Sequence, residues 1–215
     1  NKGEVNLRMP LPTSTSDINF FYEYIKKICT KMTATPFTRD NEVLSLGDIE
    51  NCIKLDIEAS EAALKKIEEN INNGTYENMY IFGAVNPVAL GKKEMENIKG
   101  DTTKFGILMN SLQGMDVYYA KASIYQRKDK SYFGVYVLTA EVASVLPEKP
   151  ALLMNENNLK VDIGFVVNEK LEGFISYKDF LKNITKDSEY DAEHFVITLD
   201  KNKMKELLEK YKVEL

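Results

Sequence analysis

Residues 115–150 read MDVYYAKASIYQRKDKSYFGVYVLTAEVASVLPEKP, and this stretch decides the fold. Two alternating, tyrosine-rich runs flank the charged turn Arg127-Lys128-Asp129-Lys130, the pattern of a β-hairpin. Thr139 then stands where a helix N-cap is expected. The following residues extend that helix to Val145, before Pro147 and Pro150 end it. A hairpin leading into a helix is architecture, and no reaction is written in it.

Working outward, residues 4–9 alternate, with Val5, Leu7 and Met9 on one side, and predict a strand ending at Pro10 and Pro12. Ser14-Thr15-Ser16-Asp17 supplies N-cap oxygens for a first helix striped with Ile18, Phe21, Tyr22, Ile25, Ile28, Cys29 and Met32. A Thr/Pro loop through Pro36 precedes a second long helix, which starts near Asp48, carries Ile49, Ile53, Ile57, Leu64, Ile67 and Ile71, and stops at Gly74. Residues 78–84 read as a short buried strand broken at Asn86-Pro87. Two shorter helices follow over 92–99 and 102–113, the second opened by Asp101 and weakened by Gly106.

Beyond the hairpin, residues 151–158 have the composition of a linker and supply a candidate subdomain boundary in what otherwise reads as one globular domain over 1–215. Val161, Ile163 and Phe165 alternate in a strand, residues 171–175 give another, and Ser176 caps a helix with Phe180, Leu181 and Ile184. A strand over 195–199 leads to a closing helix with Met204, Leu207, Leu208 and Tyr211 on its buried side. Strands that follow one another as hairpins favour an α+β fold, a largely antiparallel sheet packed against several helices, over a doubly wound parallel sheet.

Composition narrows the function classes. The chain is 44% hydrophobic and 28% charged with a net charge of −5, as expected of a globular protein. The part up to Lys149 holds 18 basic against 20 acidic residues and the remainder 10 against 13. Neither part has the basic footprint of a nucleic-acid binder, so no nucleic-acid partner is expected. No apolar run approaches the length of a bilayer span, and no signal-peptide core opens the chain, so the expectation is a cytoplasmic protein without a membrane role. Cys29 and Cys52 each fall on an apolar helical stripe with no CxxC partner and read as buried free thiols.

Candidate chemistry is sparse. His194 is the only histidine, which excludes metal sites and catalytic schemes that need two. It lies among Tyr190, Asp191 and Glu193 and reads as a solvated loop residue. The string Asp187, Glu189, Asp191, Glu193 has the spacing of a calcium loop's first ligands. Its sixth position is Ala192 rather than Gly and its twelfth Thr198 rather than Glu, so that reading fails. The glycines form neither GxGxxG nor GxxxxGK[ST], which removes standard nucleotide loops. No catalytic residue, cofactor or metal ligand is therefore assigned.

Tyrosine is in surplus, with twelve residues, five of them at 118, 119, 125, 132 and 136. Exposed tyrosines on a sheet mark protein interfaces, because they give large contact area at low entropy cost; helix-covered ones belong to a core. Tyr118, Tyr125 and Tyr132, with Arg127 and Lys128 at the turn, form the candidate interface for a protein partner. Two functional readings follow: a non-catalytic binding or accessory module, and an enzyme, hydrolase or transferase, working through carboxylates and tyrosines.

The strings IFGAVNPVAL (81–90), MDVYYAKASIYQR (115–127) and GVYVLTAEVASVLPEKP (134–150) resemble a family of uncharacterised proteins from streptococci and related low-GC Gram-positive bacteria, a domain of unknown function. The resemblance implies, as an expectation, further sequence ahead of the point where this chain begins. The resemblance implies no activity, cofactor or site residue.

Overall fold

The computed structural model describes residues 5–33, 36–126, 130–150 and 160–214. It divides into two compact units, Asn1–Gly114 and Met115–Leu215. The candidate boundary at 151–158 lies outside the described residues.

In the first unit, helix α1 (Thr15–Met32) starts where Ser14 is extended and its Oγ accepts from the Asp17 amide at 3.1 Å. That bond satisfies one of the amide donors a helix start leaves open. Strands β1 (Phe37–Arg39) and β2 (Glu42–Leu44) form a hairpin between the expected Thr/Pro loop and the second helix, in residues to which the sequence reading assigned no element. Its two turn residues, Asp40 and Asn41, both have positive φ, at 50° and 69°, the geometry of the tight turns that suit strand twist. Helix α2 (Ile49–Asn72) follows a single turn in which Ser45 and Asp48 exchange a capping box. It ends at Gly74, whose φ of 76° is a conformation other side chains resist. Ile18, Tyr22, Ile49 and Cys52 form the buried α1–α2 core, with Met9, Phe37 and Leu44 packed on it.

Strands β3 (Met79–Phe82) and β4 (Pro87–Leu90) pair antiparallel. Pro87 therefore opens a strand where the sequence suggested a break, a position at which its missing N–H costs no ladder bond. β3 alternates in exposure rather than being buried. Helices α3 (Lys92–Ile98) and α4 (Thr102–Gln113) come next, the latter capped by Asp101, which accepts from the Thr103 and Lys104 amides. Gly106 sits within α4 because a Cβ there would lie 2.7 Å from the Ser14 Cβ. The strand expected over 4–9 does not form among its described residues; Val5 is exposed, and Met9 packs on the helical core instead. Alternation alone gave that segment no strand partner to pair with.

The second unit contains β5 (Tyr118–Tyr119), β6 (Ser123–Gln126), β7 (Tyr132–Thr139), β8 (Ser144–Pro147), β9 (Lys160–Val167), β10 (Lys170–Ser176), α5 (Tyr177–Asn183), β11 (Ser188–Glu189), β12 (His194–Ile197), α6 (Lys201–Tyr211) and β13 (Lys212–Val213). Two sheets result, in the orders β13-β10-β9-β7-β6 and β11-β12-β8-β5. Among the described residues only the β7–β9 and β5–β8 pairings are parallel, so the unit has the expected α+β, largely antiparallel character. One core joins both sheets and both helices: Tyr136, Leu138, Ile163, Phe165 and Ile175 meet Leu146, Phe195 and Ile197, with Phe180, Met204 and Leu207 beside them.

The helix expected over 139–145 is absent. Val142 bonds back to Thr139, Glu141 turns through positive φ, and Ser144–Pro147 continues as β8. All four β8 residues are buried, and a short strand buried on both faces carries no alternation to separate it from a helix. The expected first hairpin strand is likewise two strands. Between Tyr119 and Ser123 the chain leaves one sheet and enters the other, with Ala120 in the core between them.

Candidate functional site

Residues 118–126 supply the outermost strand of both sheets in this unit, since β5 ends the four-stranded sheet and β6 the five-stranded one. In β6, Ser123, Tyr125 and Gln126 are exposed and Ile124 is half-buried. Tyr118, Tyr125 and Tyr132 are 48%, 50% and 37% exposed, whereas Tyr136 is 3% exposed and belongs to the core. Register separates the exposed rings. Tyr125 lies opposite Phe133, with ring centroids 5.6 Å apart, and Tyr132 lies opposite Gln126. Side chains alternate along a strand, so Tyr125, on the edge strand, and Tyr132, one strand inward, project from opposite faces of the β6–β7 ribbon. Arg127 and Lys128 lie outside the described residues. Lys130 follows them with φ at 70°.

The second constellation was not legible in sequence. His194 is 6% exposed and sits in β12 rather than in a solvated loop. Its Nδ1 is 2.8 Å from Asp191 Oδ1, and its Nε2 is 2.9 Å from the Tyr119 hydroxyl. Asp191 Oδ1 also accepts from the Glu193 and His194 amides, both at 2.9 Å. A carboxylate oxygen only accepts, so Nδ1 carries the proton in the neutral ring, and Nε2 is left to accept from the Tyr119 O–H. Tyr190 stands edge-on to both Tyr119 and His194. The arrangement has the order of a base with an orienting carboxylate behind it and a hydroxyl in front.

β-Sheet register makes this possible. Tyr119 pairs with Val145, Val145 with Val196, and Pro147 with His194, which puts Tyr119 and His194 on one face across β8. The residues are 75 apart in the chain, and only the sheet order brings them together. Asp191 is three residues from His194, with the 190–194 turn closed by Tyr190 N to His194 O. That short spacing is the one signal the sequence carried.

In the first unit, Arg39 reaches from β1 to pair with Asp56 of α2, while Tyr22 of α1 donates to the same carboxylate at 2.6 Å. Arg39 Nη1 also lies 3.2 Å from the Tyr22 oxygen and 3.4 Å from the Cys52 carbonyl. Burial, with the hydrogen bond to Asp56 adding to it, holds the Tyr22 hydroxyl protonated well above the usual tyrosine range. This network ties the β1–β2 hairpin to both helices. A shallow groove of about 280 Å³ lies along α1, lined by Arg8, Met9, Pro10, Asp17, Phe20 and Tyr24 among others.

Among the described residues, no group of three or more His, Cys, Asp or Glu side chains is placed to hold a metal ion. No helix among them is long and apolar enough to cross a membrane. Both cysteines are free and buried.

Fold and geometry together describe an α+β chain with a tyrosine-bearing sheet edge and, among the described residues, a Tyr119–His194–Asp191 hydrogen-bonded chain. A family model described as Domain of unknown function (DUF4299) matches residues 1–207, and the chain belongs to that family. Comparison with curated proteins and with solved structures returns no match.

Proposed function

We propose that this chain is a macromolecular binding module without catalysis of its own, working in the cytoplasm of a Gram-positive bacterium and engaging a protein partner through Tyr118, Tyr125 and Tyr132, with Arg127 and Lys128 beside them. The observation that carries the reading is the exposure of those three rings, each above a third, on the strands that end both sheets and on the strand next to one of those ends. Rigid aromatic rings at solvent-facing positions contribute little to the fold's own core and a large share of binding energy at interfaces. The acidic balance of the whole chain speaks against nucleic acid as the partner. The test replaces Tyr118, Tyr125 and Tyr132 together by alanine and compares stoichiometric capture of a protein partner from native extract. Loss of capture with an unchanged circular-dichroism spectrum is expected; unchanged capture removes the interface from this surface.

The Tyr119–His194–Asp191 chain favours a second reading, an enzyme in which the tyrosine hydroxyl, with His194 as base, is the reactive group. Under that reading the whole chain retains a small molecule from native extract, and Tyr119→Phe loses it while remaining folded.

A further inference from the structure

Asn73-Gly74 is the single Asn-Gly pair in the chain, and it closes α2. Asn73 is the C-cap, with its amide donating to the Glu69 carbonyl at 3.0 Å. The Gly74 amide donates to the Ile71 carbonyl at 3.2 Å, and the Tyr76 amide to that of Asn70, also at 3.2 Å. The Asn73 side chain folds over the same turn, where its Oδ1 accepts from the Thr75 amide at 3.0 Å and from the Thr75 hydroxyl at 2.6 Å. Two donors on one carbonyl oxygen draw electron density away from Cγ. Both residues are exposed, and a Cβ built on Gly74 meets nothing within 4 Å.

We propose that Asn73 is a self-modification site, at which the Gly74 nitrogen attacks Asn73 Cγ and the side-chain amide leaves as ammonia. Asparagine is a thermolabile side chain, and the glycine after it, lacking a Cβ, leaves the attacking nitrogen unhindered. The Gly74 N–Cγ bond forms as the Cγ–Nδ2 bond breaks; the Gly74 amide proton passes to solvent, and the departing nitrogen takes one from water. A five-membered imide results. Water then adds to one of its two carbonyls and opens the ring to aspartate or isoaspartate, so the reaction consumes one water, releases one ammonia and needs no other reactant. Both reacting groups belong to adjacent residues, and no partner surface is involved.

The fold sets the rate. Ring closure requires the Gly74 nitrogen to eclipse Asn73 Cβ, but at a ψ of 1° it eclipses the Asn73 nitrogen instead, and its N–H is held by the Ile71 carbonyl. The last turn of α2 therefore opens before the imide forms. Opening at a helix end is among the least costly local events in a fold, so the cap slows the reaction without abolishing it. Either product sets a carboxylate at the C-terminus of α2, the negative end of its dipole. Isoaspartate also adds a methylene to the main chain, which takes the Gly74 and Tyr76 amides out of register with the Ile71 and Asn70 carbonyls.

The test incubates the whole chain in mildly alkaline buffer beside a synthetic peptide of residues 67–78 and follows Asn73 by mass spectrometry of the digested samples. Asn73 of the folded chain is expected to convert in proportion to hydroxide, about tenfold or more slowly than in the peptide. Asn73→Gln, whose side chain would have to close a six-membered ring, stays unconverted over the same time. In the converted chain, hydrogen exchange at the Gly74 and Tyr76 amides is faster than in the starting chain. A folded chain still intact at Asn73 when the peptide is fully converted overturns the site. Conversion as fast as in the peptide overturns control by the cap, and unchanged exchange in the product overturns the loosening of α2.

Discussion

Replacing Asp191 by alanine removes the acceptor for three donors at once: the Glu193 amide, the His194 amide and the His194 ring. The Asp191 side chain is 0% exposed and the His194 side chain 7%, so water does not readily take over. A buried donor left without its acceptor costs roughly 1–3 kcal/mol. Three such losses, discounted for local relaxation, put Asp191→Ala at about 4 kcal/mol of destabilisation. Asp191→Asn keeps the Oδ1 acceptor and loses the charge, so its cost is about 1 kcal/mol. Tyr119→Phe loses one hydrogen bond and costs about 1 kcal/mol. Urea denaturation read by circular dichroism gives the three values, and hydrogen exchange at the Glu193 and His194 amides gives a local readout that accelerates most in Asp191→Ala. An Asp191→Ala cost below about 1 kcal/mol, or equal costs for alanine and asparagine, refutes the reasoning that this carboxylate organises the turn and the imidazole.

Gly106→Ala gains roughly 1 kcal/mol of helix propensity but drives a methyl to 2.7 Å from the Ser14 Cβ; a net loss of about 1 kcal/mol is expected from overpacking, and a gain in melting temperature contradicts it. Arg39→Ala leaves Asp56 without its cation and costs about 2 kcal/mol, discounted for the partial exposure of Arg39. Arg39→Lys recovers little of that loss, because Nη1 and Nη2 serve different partners; full recovery on denaturation contradicts the forked role. Tyr22 and Tyr177 both have hydroxyls held protonated well above the usual value of 10.0, chiefly by burial. A raised folded pKa stabilises below the unfolded value and is lost as pH climbs above it. Stability therefore falls from about pH 10 upward, and in a near-ultraviolet titration these two of the twelve tyrosines ionise only on unfolding. Simultaneous ionisation of all twelve near the usual value contradicts it.

Helices were legible where local signals agree with packing. Ser14, Asp101 and Ser176 are the N-caps their residue types predicted, and Gly74 ends α2 as expected. β9 was legible because large apolar Val161, Ile163 and Phe165 alternate with the polar or small Asp162 and Gly164, although Asp162 and Gly164 are buried too. β8 was misread because all four of its residues are buried, which erases period-two alternation. The run over 115–127 was read as one strand because sequence records alternation but not which sheet receives it; the transfer at Ala120 depends on a core that forms only in three dimensions. His194 was misread for the same reason. Its partner Tyr119 becomes a neighbour only through the order β12-β8-β5. Surface exposure of Tyr118, Tyr125 and Tyr132 depends equally on sheet order, which leaves their strands at or beside an edge.

The most direct test of the tyrosine edge is amide hydrogen exchange across the whole chain, with and without a captured protein partner bound. The account predicts that binding slows exchange over residues 118–126 and leaves the groove beside Phe20 and Tyr24 unchanged. Protection confined to that groove, with 118–126 exchanging as in the free chain, contradicts it.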